Sequence, residues 1–426
     1  MRFNVGGPIL CCAFTLVAGW VAGCGQRPSS ASAEDGSGSR TEWGPVVSFD
    51  GTDISSNPCE SGCEARVCGL DPVCGESCGR CPTGQTCTSQ GTCCEGVGPV
   101  VIDSVGEVEN TSLGLDAAGR VHISYRAASG GLKYATNVSG QWATTTVDSV
   151  GPAHPLGSGM ALALDAAGKG HIGYYDSTNS MKYATNASGV WVTTVIDSEA
   201  HWVTSLTLDA AGQVHIYYGG FEGNLKYATN VSGAWLIMTL DFAGAGPSGS
   251  FALDSAGKVH ISFHTCVHTI KTVDCHLRYA TNASGSWVTS DGLDSVGMWG
   301  HSSLALDASG KVHIGYAGPD SYSLKYATNA SGTWATVKVD SDSLWGTSTS
   351  LALDAAGKVH ISYLDGDDFD LKYATNASGT WTTKAVDSAG DVGEGTSLAL
   401  DAPGKVHISY SDMTNGTLKY VALCPE

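Results

Sequence analysis

Seven aspartates and seven histidines recur in register along this chain. Asp116, Asp165, Asp209, Asp254, Asp307, Asp354 and Asp401 are each followed six residues later by His122, His171, His215, His260, His313, His360 and His407. A carboxylate near an imidazole can hold a metal ion or share a proton, so the pairs invite a metal-site or general-base reading. Their presence in every copy points the other way. Each aspartate precedes two small residues and a glycine, most often Ala-Ala-Gly. In that setting the carboxylate accepts backbone N–H groups and the glycine takes a positive φ. The aspartates are therefore expected to form turns, and the histidines to be neutral and hydrogen-bonded between repeats.

The cysteines offer a second chemistry. Nine of them, Cys59, Cys63, Cys68, Cys74, Cys78, Cys81, Cys87, Cys93 and Cys94, crowd into one short segment. Cys78-Gly-Arg-Cys81 has a zinc-like spacing, but no histidine lies in the segment, and its density behind an export signal suits a disulfide framework. The odd count leaves one partner to find, and Cys424 supplies it opposite Cys93 or Cys94. Farther on, Cys266, His268, Cys275 and His276 could ligate zinc. Outside the cytoplasm a Cys266–Cys275 bridge across that loop is the favoured alternative.

The elements that must position these groups follow from the repeat. The anchor aspartates lie 44 to 53 residues apart, a period that in a β-rich sequence marks a propeller-like array. In the copy from Thr349 to Ser388, Ser350–Asp354 alternates, Val359–Tyr363 is rich in β-branched and aromatic residues, and two more strands surround an Asn-Ala-Ser-Gly turn. Four short antiparallel strands make one blade. The seventh copy lacks its fourth strand, while Val100–Asp103 matches a fourth strand and precedes the first copy. The expected fold is thus all-β: a seven-bladed β-propeller closed by an N-terminal strand that completes the last blade. The strand–D-x-x-G–strand pattern resembles NHL and Asp-box propellers, a resemblance that implies a structural role for the aspartates. The Asn-x-Ser triplets at Asn137, Asn186 and Asn376 read as hairpin turns, and Trp142, Trp191, Trp235, Trp287, Trp334 and Trp381 as packing residues opening the fourth strand.

Four regions follow. Residues 1–23 carry Arg2, an apolar run through Trp20 and then Val-Ala-Gly before Cys24, which resembles a bacterial lipoprotein signal with Cys24 the lipidated residue. Residues 24–58 read as a flexible tether rich in Ser, Gly and acidic residues, 59–95 as the disulfide module, and 96–426 as the propeller. The resemblance implies a monomer on the bacterial cell envelope, at its outer surface or facing the periplasm, with membrane contact through the lipid anchor only. With 41 acidic against 22 basic residues the formal charge is −19, which excludes nucleic acid and anionic membrane surfaces as partners.

A binding site should lie where the repeats differ. In such a blade the a–b and c–d turns share one face, here nearly constant, and the b–c and d–a loops share the other, here variable. The variable face gathers Trp202, Tyr218, Phe221, Trp299, Tyr322, Trp345 and Phe369 with Asp176, Glu222, Asp320, Asp365, Asp367, Asp368 and Asp370. Aromatic platforms beside carboxylates suit a neutral polyol such as a sugar, and Asp365, Asp367, Asp368 and Asp370 together could hold calcium. The four strand-a residues before each anchor aspartate, such as Ser-Leu-Gly-Leu or Ser-Leu-Ala-Leu, include no titratable residue, and after residue 100 the only arginines are Arg120, Arg126 and Arg278, so no catalytic constellation is visible. The expected function is carbohydrate binding or adhesion; an interaction platform for an envelope protein, and a propeller hydrolase or lyase, are the alternatives.

Overall fold

The computed structural model describes residues 66–425 apart from 71–76, 89–90, 150, 152–158, 221–223, 241–244, 269–272, 291, 298–300, 320–322 and 342–347; of 201–204, 245–248 and 268 it describes the backbone alone. Cys24 and the tether lie outside these residues.

Seven antiparallel sheets follow one another around a ring, without a helix among the described residues. In blade 1, strand a is Val108–Leu115, b is Val121–Ala127, c is Gly131–Thr136 and d is Ala143–Ser149. Strand b is buried along its whole length and strand d is mostly exposed, so the blades present their d strands to solvent around the outside of the ring. Local chemistry explains the corners. Asp116 Oδ1 accepts the N–H groups of Ala118 (2.9 Å) and Arg120 (3.0 Å), and Gly119 takes a φ of 72°. At the same end, Asn137 Oδ1 accepts the Val121 N–H at 2.8 Å, tying the c–d turn to the start of strand b. Asn186 and Asn376 do the same to Gly170 and Val359.

The apolar core lies between blades. Each of seven clusters draws on two neighbours, as where Leu132 and Tyr134 of blade 1 meet Met160, Leu162 and Ile172 of blade 2. Nearer the axis, strand-a serines bridge consecutive blades: Ser112 Oγ accepts the Leu162 N–H, and Ser350 Oγ the Leu398 N–H, both at 2.9 Å.

The ring closes as the repeat predicts. Blade 7 consists of Val392–Leu400, Val406–Asp412, Thr417–Leu423 and, as its outermost strand, the N-terminal Val97–Ser104. Tyr420 pairs with Val100 and Lys419 with Val101, with register shifts on either side. Where the other blades have a c–d turn, a Cys94–Cys424 disulfide joins the two strands. Cys81–Cys93 and Cys68–Cys87 hold the cysteine-rich segment just before it. Blade 4 departs most from the repeat: its b and c strands lengthen to Val259–His268 and Val273–Thr281, and the directly opposed Cys266 and Cys275 are bonded. The thiolates that zinc would need are taken up in that bridge.

The Cys94–Cys424 bond spans 330 residues of sequence. In the chain-entropy model a loop of that length stabilises by at most roughly 5–6 kcal/mol. Replacing Cys424 with Ser should lower the denaturant midpoint of the propeller well beyond the effect of Cys266→Ser, which opens a loop of sequence separation 9. Equal midpoints by equilibrium unfolding would show that strand pairing alone closes the ring.

Candidate functional site

The repeated Asp–His pairs are structural fittings, each a buried histidine beside an aspartate that is half-buried in six of the seven blades. His407 Nε2 lies 3.3 Å from Asp401 Oδ2 and its Nδ1 lies 2.6 Å from the Tyr420 hydroxyl. A carboxylate can only accept, so Nε2 carries the proton and Nδ1 accepts from the tyrosine. The seven His–Tyr contacts recur in every blade, and they join strands b and c of one blade. This corrects the expected histidine bond between repeats. The blade-to-blade step is made by the tyrosine ring, on which a tryptophan of the next blade packs, as Trp191 does on Tyr134 with centroids 5.0 Å apart. Burial lowers the pKa of His122, His171, His215, His313 and His407, against the opposing pull of their aspartates. Burial would raise the Asp116 carboxyl, but the Arg120 N–H and guanidinium and the Ala118 N–H bring it down to about 2.

A second set of polar residues was not anticipated from the sequence. At six seams an aspartate near the end of strand d in one blade receives a tyrosine hydroxyl from strand b and a lysine from strand c of the next blade. Asp148 with Tyr174 (2.7 Å) and Lys182 (2.8 Å) is one example, and Asp387 with Tyr410 (2.7 Å) and Lys419 (2.6 Å) another. Blade 4 carries Phe263 and Arg278 at the matching places, and Arg278 Nε instead donates to Thr265 Oγ1 at 2.9 Å.

Two expected ligand contacts belong to this scaffold. Tyr218 is fully buried, and its hydroxyl donates to Asp197 at 2.9 Å. It is the repeat's own strand-b tyrosine and is closed to a ligand; Tyr217, beside it, takes the place of the serine or glycine found in other blades. Asp365 is 2% exposed, with the Lys372 ammonium 2.6 Å from its Oδ2. Asp176 stands in the same place beside Lys182, at 3.5 Å.

The calcium reading fails on the same loop. Asp365 is committed to Lys372 and to the Asp367 N–H, Asp370 accepts from Ser388 Oγ at 2.6 Å, and Asp367 and Asp368 face solvent. Among the described residues, the one acidic, histidine or cysteine group with converging ligand atoms is Cys68, Cys81 and Cys87, and all three are in disulfides.

What remains on the variable face is less regular. Phe369 is 41% exposed and holds a φ of 57°, with its carbonyl accepting the Val392 N–H at 2.9 Å. Asn179, in the matching loop of blade 2, has a φ of 62°, and these two are the only non-glycine residues with positive φ among those described. Such backbone settings concentrate at functional loops. Trp202 lies on the lengthened inner strand Ala200–Leu208, at a register shift between His201 and Val203. Phe221, Trp299, Tyr322 and Trp345, with Glu222 and Asp320, lie outside the described residues. Glu394, unnoticed in the sequence, is an acid whose pKa is raised by burial and then by Asp391, Glu107 and Glu109, which give this end of blades 7 and 1 an acidic rim.

No protein-family model and no curated protein sequence matches the chain. The fold is similar to that of the BP39L lectin from Burkholderia pseudomallei, with 11% identity, a TM-score of 0.57, and coverage of 75% of this chain and 96% of that one. It is also similar to AofleA from Arthrobotrys oligospora, with 14% identity, a TM-score of 0.50, and coverage of 72% and 95%.

Removing one partner of a buried ion pair leaves the other charge uncompensated, so Asp387→Ala should cost about 3 kcal/mol or more by chemical unfolding. An exposed acid such as Asp368 changed to Ala should cost under about 0.5 kcal/mol. The five histidines give the pH dependence. Their folded pKa values lie below the ordinary 6.5, so the unfolded chain takes up protons first on acidification. Stability present above pH of about 6.5 should be lost as pH falls below it, seen as a melting temperature that drops between about pH 7 and 5. A flat profile there would mean that the histidines titrate normally.

Proposed function

We propose that this protein binds carbohydrate through the face formed by its b–c and d–a loops, held at a bacterial envelope by a lipid on Cys24. The observation that carries the reading is the division of the ring into two ends. At one, the Asp-turn and Asn-turn hydrogen bonds repeat from blade to blade; at the other lie the length differences, the lengthened inner strands and both strained non-glycine residues. A rigid scaffold with individual loops on one face is the usual home of a recognition site. The lectin nature of BP39L, a protein of similar fold, supports a sugar as the ligand.

The contacts proposed are stacking of sugar C–H faces on Trp202, Phe221, Trp299, Tyr322, Trp345 and Phe369, with Asp367 and Asp368 accepting from hydroxyl groups. Tyr218 and Asp365 are not part of this set. The reading is of a binder and not an enzyme: the Asp–His–Tyr groups that resemble a proton relay are built on buried histidines and repeated in all seven blades.

A glycan array probed with the purified protein tests the proposal, and absence of any sugar hit would overturn it. For a glycan that binds, Trp202→Ala, Trp299→Ala and Trp345→Ala should each weaken affinity by about fivefold, near 1 kcal/mol, with the melting temperature unchanged. Trp381→Ala should instead destabilise the fold by about 3–5 kcal/mol while the folded fraction keeps its affinity.

A further inference from the structure

Six of the seven seams between blades hold a tryptophan from the start of strand d: Trp142, Trp191, Trp235, Trp287, Trp334 and Trp381. The seam between blades 6 and 7 has none; Val386 and Leu423 stand at the margin of its cluster. The closing strand is the reason. Ala422 pairs with Val97 where Thr375 of blade 6 pairs with Thr382, so Gly96 comes to the place of Trp381, while Val97 packs in the cluster between blades 7 and 1.

In five seams the indole sits tilted or edge-on to the strand-c tyrosine of the preceding blade, with centroids 5.0–5.3 Å apart. The equivalent tyrosine at the closing seam, Tyr373, has the Lys384 ammonium over its ring at 5.3 Å. Where the indole is missing, the surface opens into a cavity of about 520 Å³. It is lined by Lys384 and Val386 of blade 6, Gly96 and Leu423 of blade 7, and Thr86 and Cys87 of the cysteine-rich segment.

We propose that this vacated tryptophan niche binds a small planar aromatic molecule of the indole class. The scaffold itself names the occupant, since the corresponding space at each other seam is filled by an indole side chain. The volume falls within the range of small-molecule sites. Lys384 can place its charge over an aromatic face, which prefers a π-system to an aliphatic guest. The niche is also braced against collapse. Cys87 is bonded to Cys68, and the Cys94–Cys424 bridge fixes the ends of the two strands that border it. An apolar cavity that cannot close is one that takes up aromatic guests. It lies at the c–d end of the blade, away from the variable loop face, so its occupancy is independent of carbohydrate binding.

The test is a titration of the full chain with 5-fluoroindole, followed by ¹⁹F NMR, on wild type, Gly96→Trp and Lys384→Ala. Saturable binding is expected for wild type. Gly96→Trp restores the missing indole, so it should abolish binding and raise the melting temperature. Lys384 is an exposed strand residue, and its change to Ala should weaken binding at least threefold without altering the melting temperature. Non-saturable binding to wild type, or undiminished binding to Gly96→Trp, overturns the proposal. Should Gly96→Trp fail to fold, an unchanged affinity in Lys384→Ala overturns it alone.

Discussion

Every blade of this ring has two faces to cover and only its neighbours with which to cover them. That is why the apolar clusters lie between sheets and why the polar groups that matter most for the fold cross the same gaps. The aspartate ending one blade's strand d sits between a tyrosine and a lysine of the next, partly shielded from water, most fully at Asp387. A sheet with hydrophobic residues on both faces could slide or tilt against its neighbour at little cost. A carboxylate that must meet two donors from the adjacent sheet removes that freedom, and the strand-a serines repeat the device nearer the axis.

An array held together by nearest-neighbour contacts is only as sound as its weakest seam. Here the critical one is the seam made by chain ends. Pairing of Val97–Ser104 with Thr417–Leu423 restores the backbone ladder, and the disulfide replaces the covalent turn that other blades have. The repair is incomplete in one respect. The closing strand arrives from a cysteine-rich segment and not from a hairpin, and it brings Gly96 to the place of the tryptophan that the other seams share. The cavity at that seam is the direct consequence.

The same logic separates scaffold from site. One end of the ring is locked by turn chemistry that tolerates little change, so variation accumulates at the other. The lengthened inner strands, the disulfide-pinned ribbon of blade 4, and the strained backbone at Asn179 and Phe369 all lie there. Strain of this kind persists only where the surrounding structure holds it, and the rigid blades beneath supply that support.

The sequence by itself determined the seven blades, their turns, the closing strand and the pairing of Cys266 with Cys275. These are written as a period, as Asp-x-x-Gly and Asn-x-Ser signals a few residues long, or as a strand missing at one end and present at the other. It left Cys424 with two partners, since Cys93 and Cys94 are adjacent and only the path of the chain chooses Cys94. Tertiary structure alone assembled the Asp–Tyr–Lys groups, whose members lie 26 and 34 residues apart at Asp148 and meet across two blades. It moved Tyr218 from loop face to core, because a second tyrosine beside it hid which of the two kept the repeat's register. It took Asp365 out of an acidic loop that looked ready for a cation, because Lys372 reaches it from the neighbouring strand. Local signals specify turns and strands, whereas a buried charge is placed by whichever partner the packing brings within reach, and that partner is not visible along the chain.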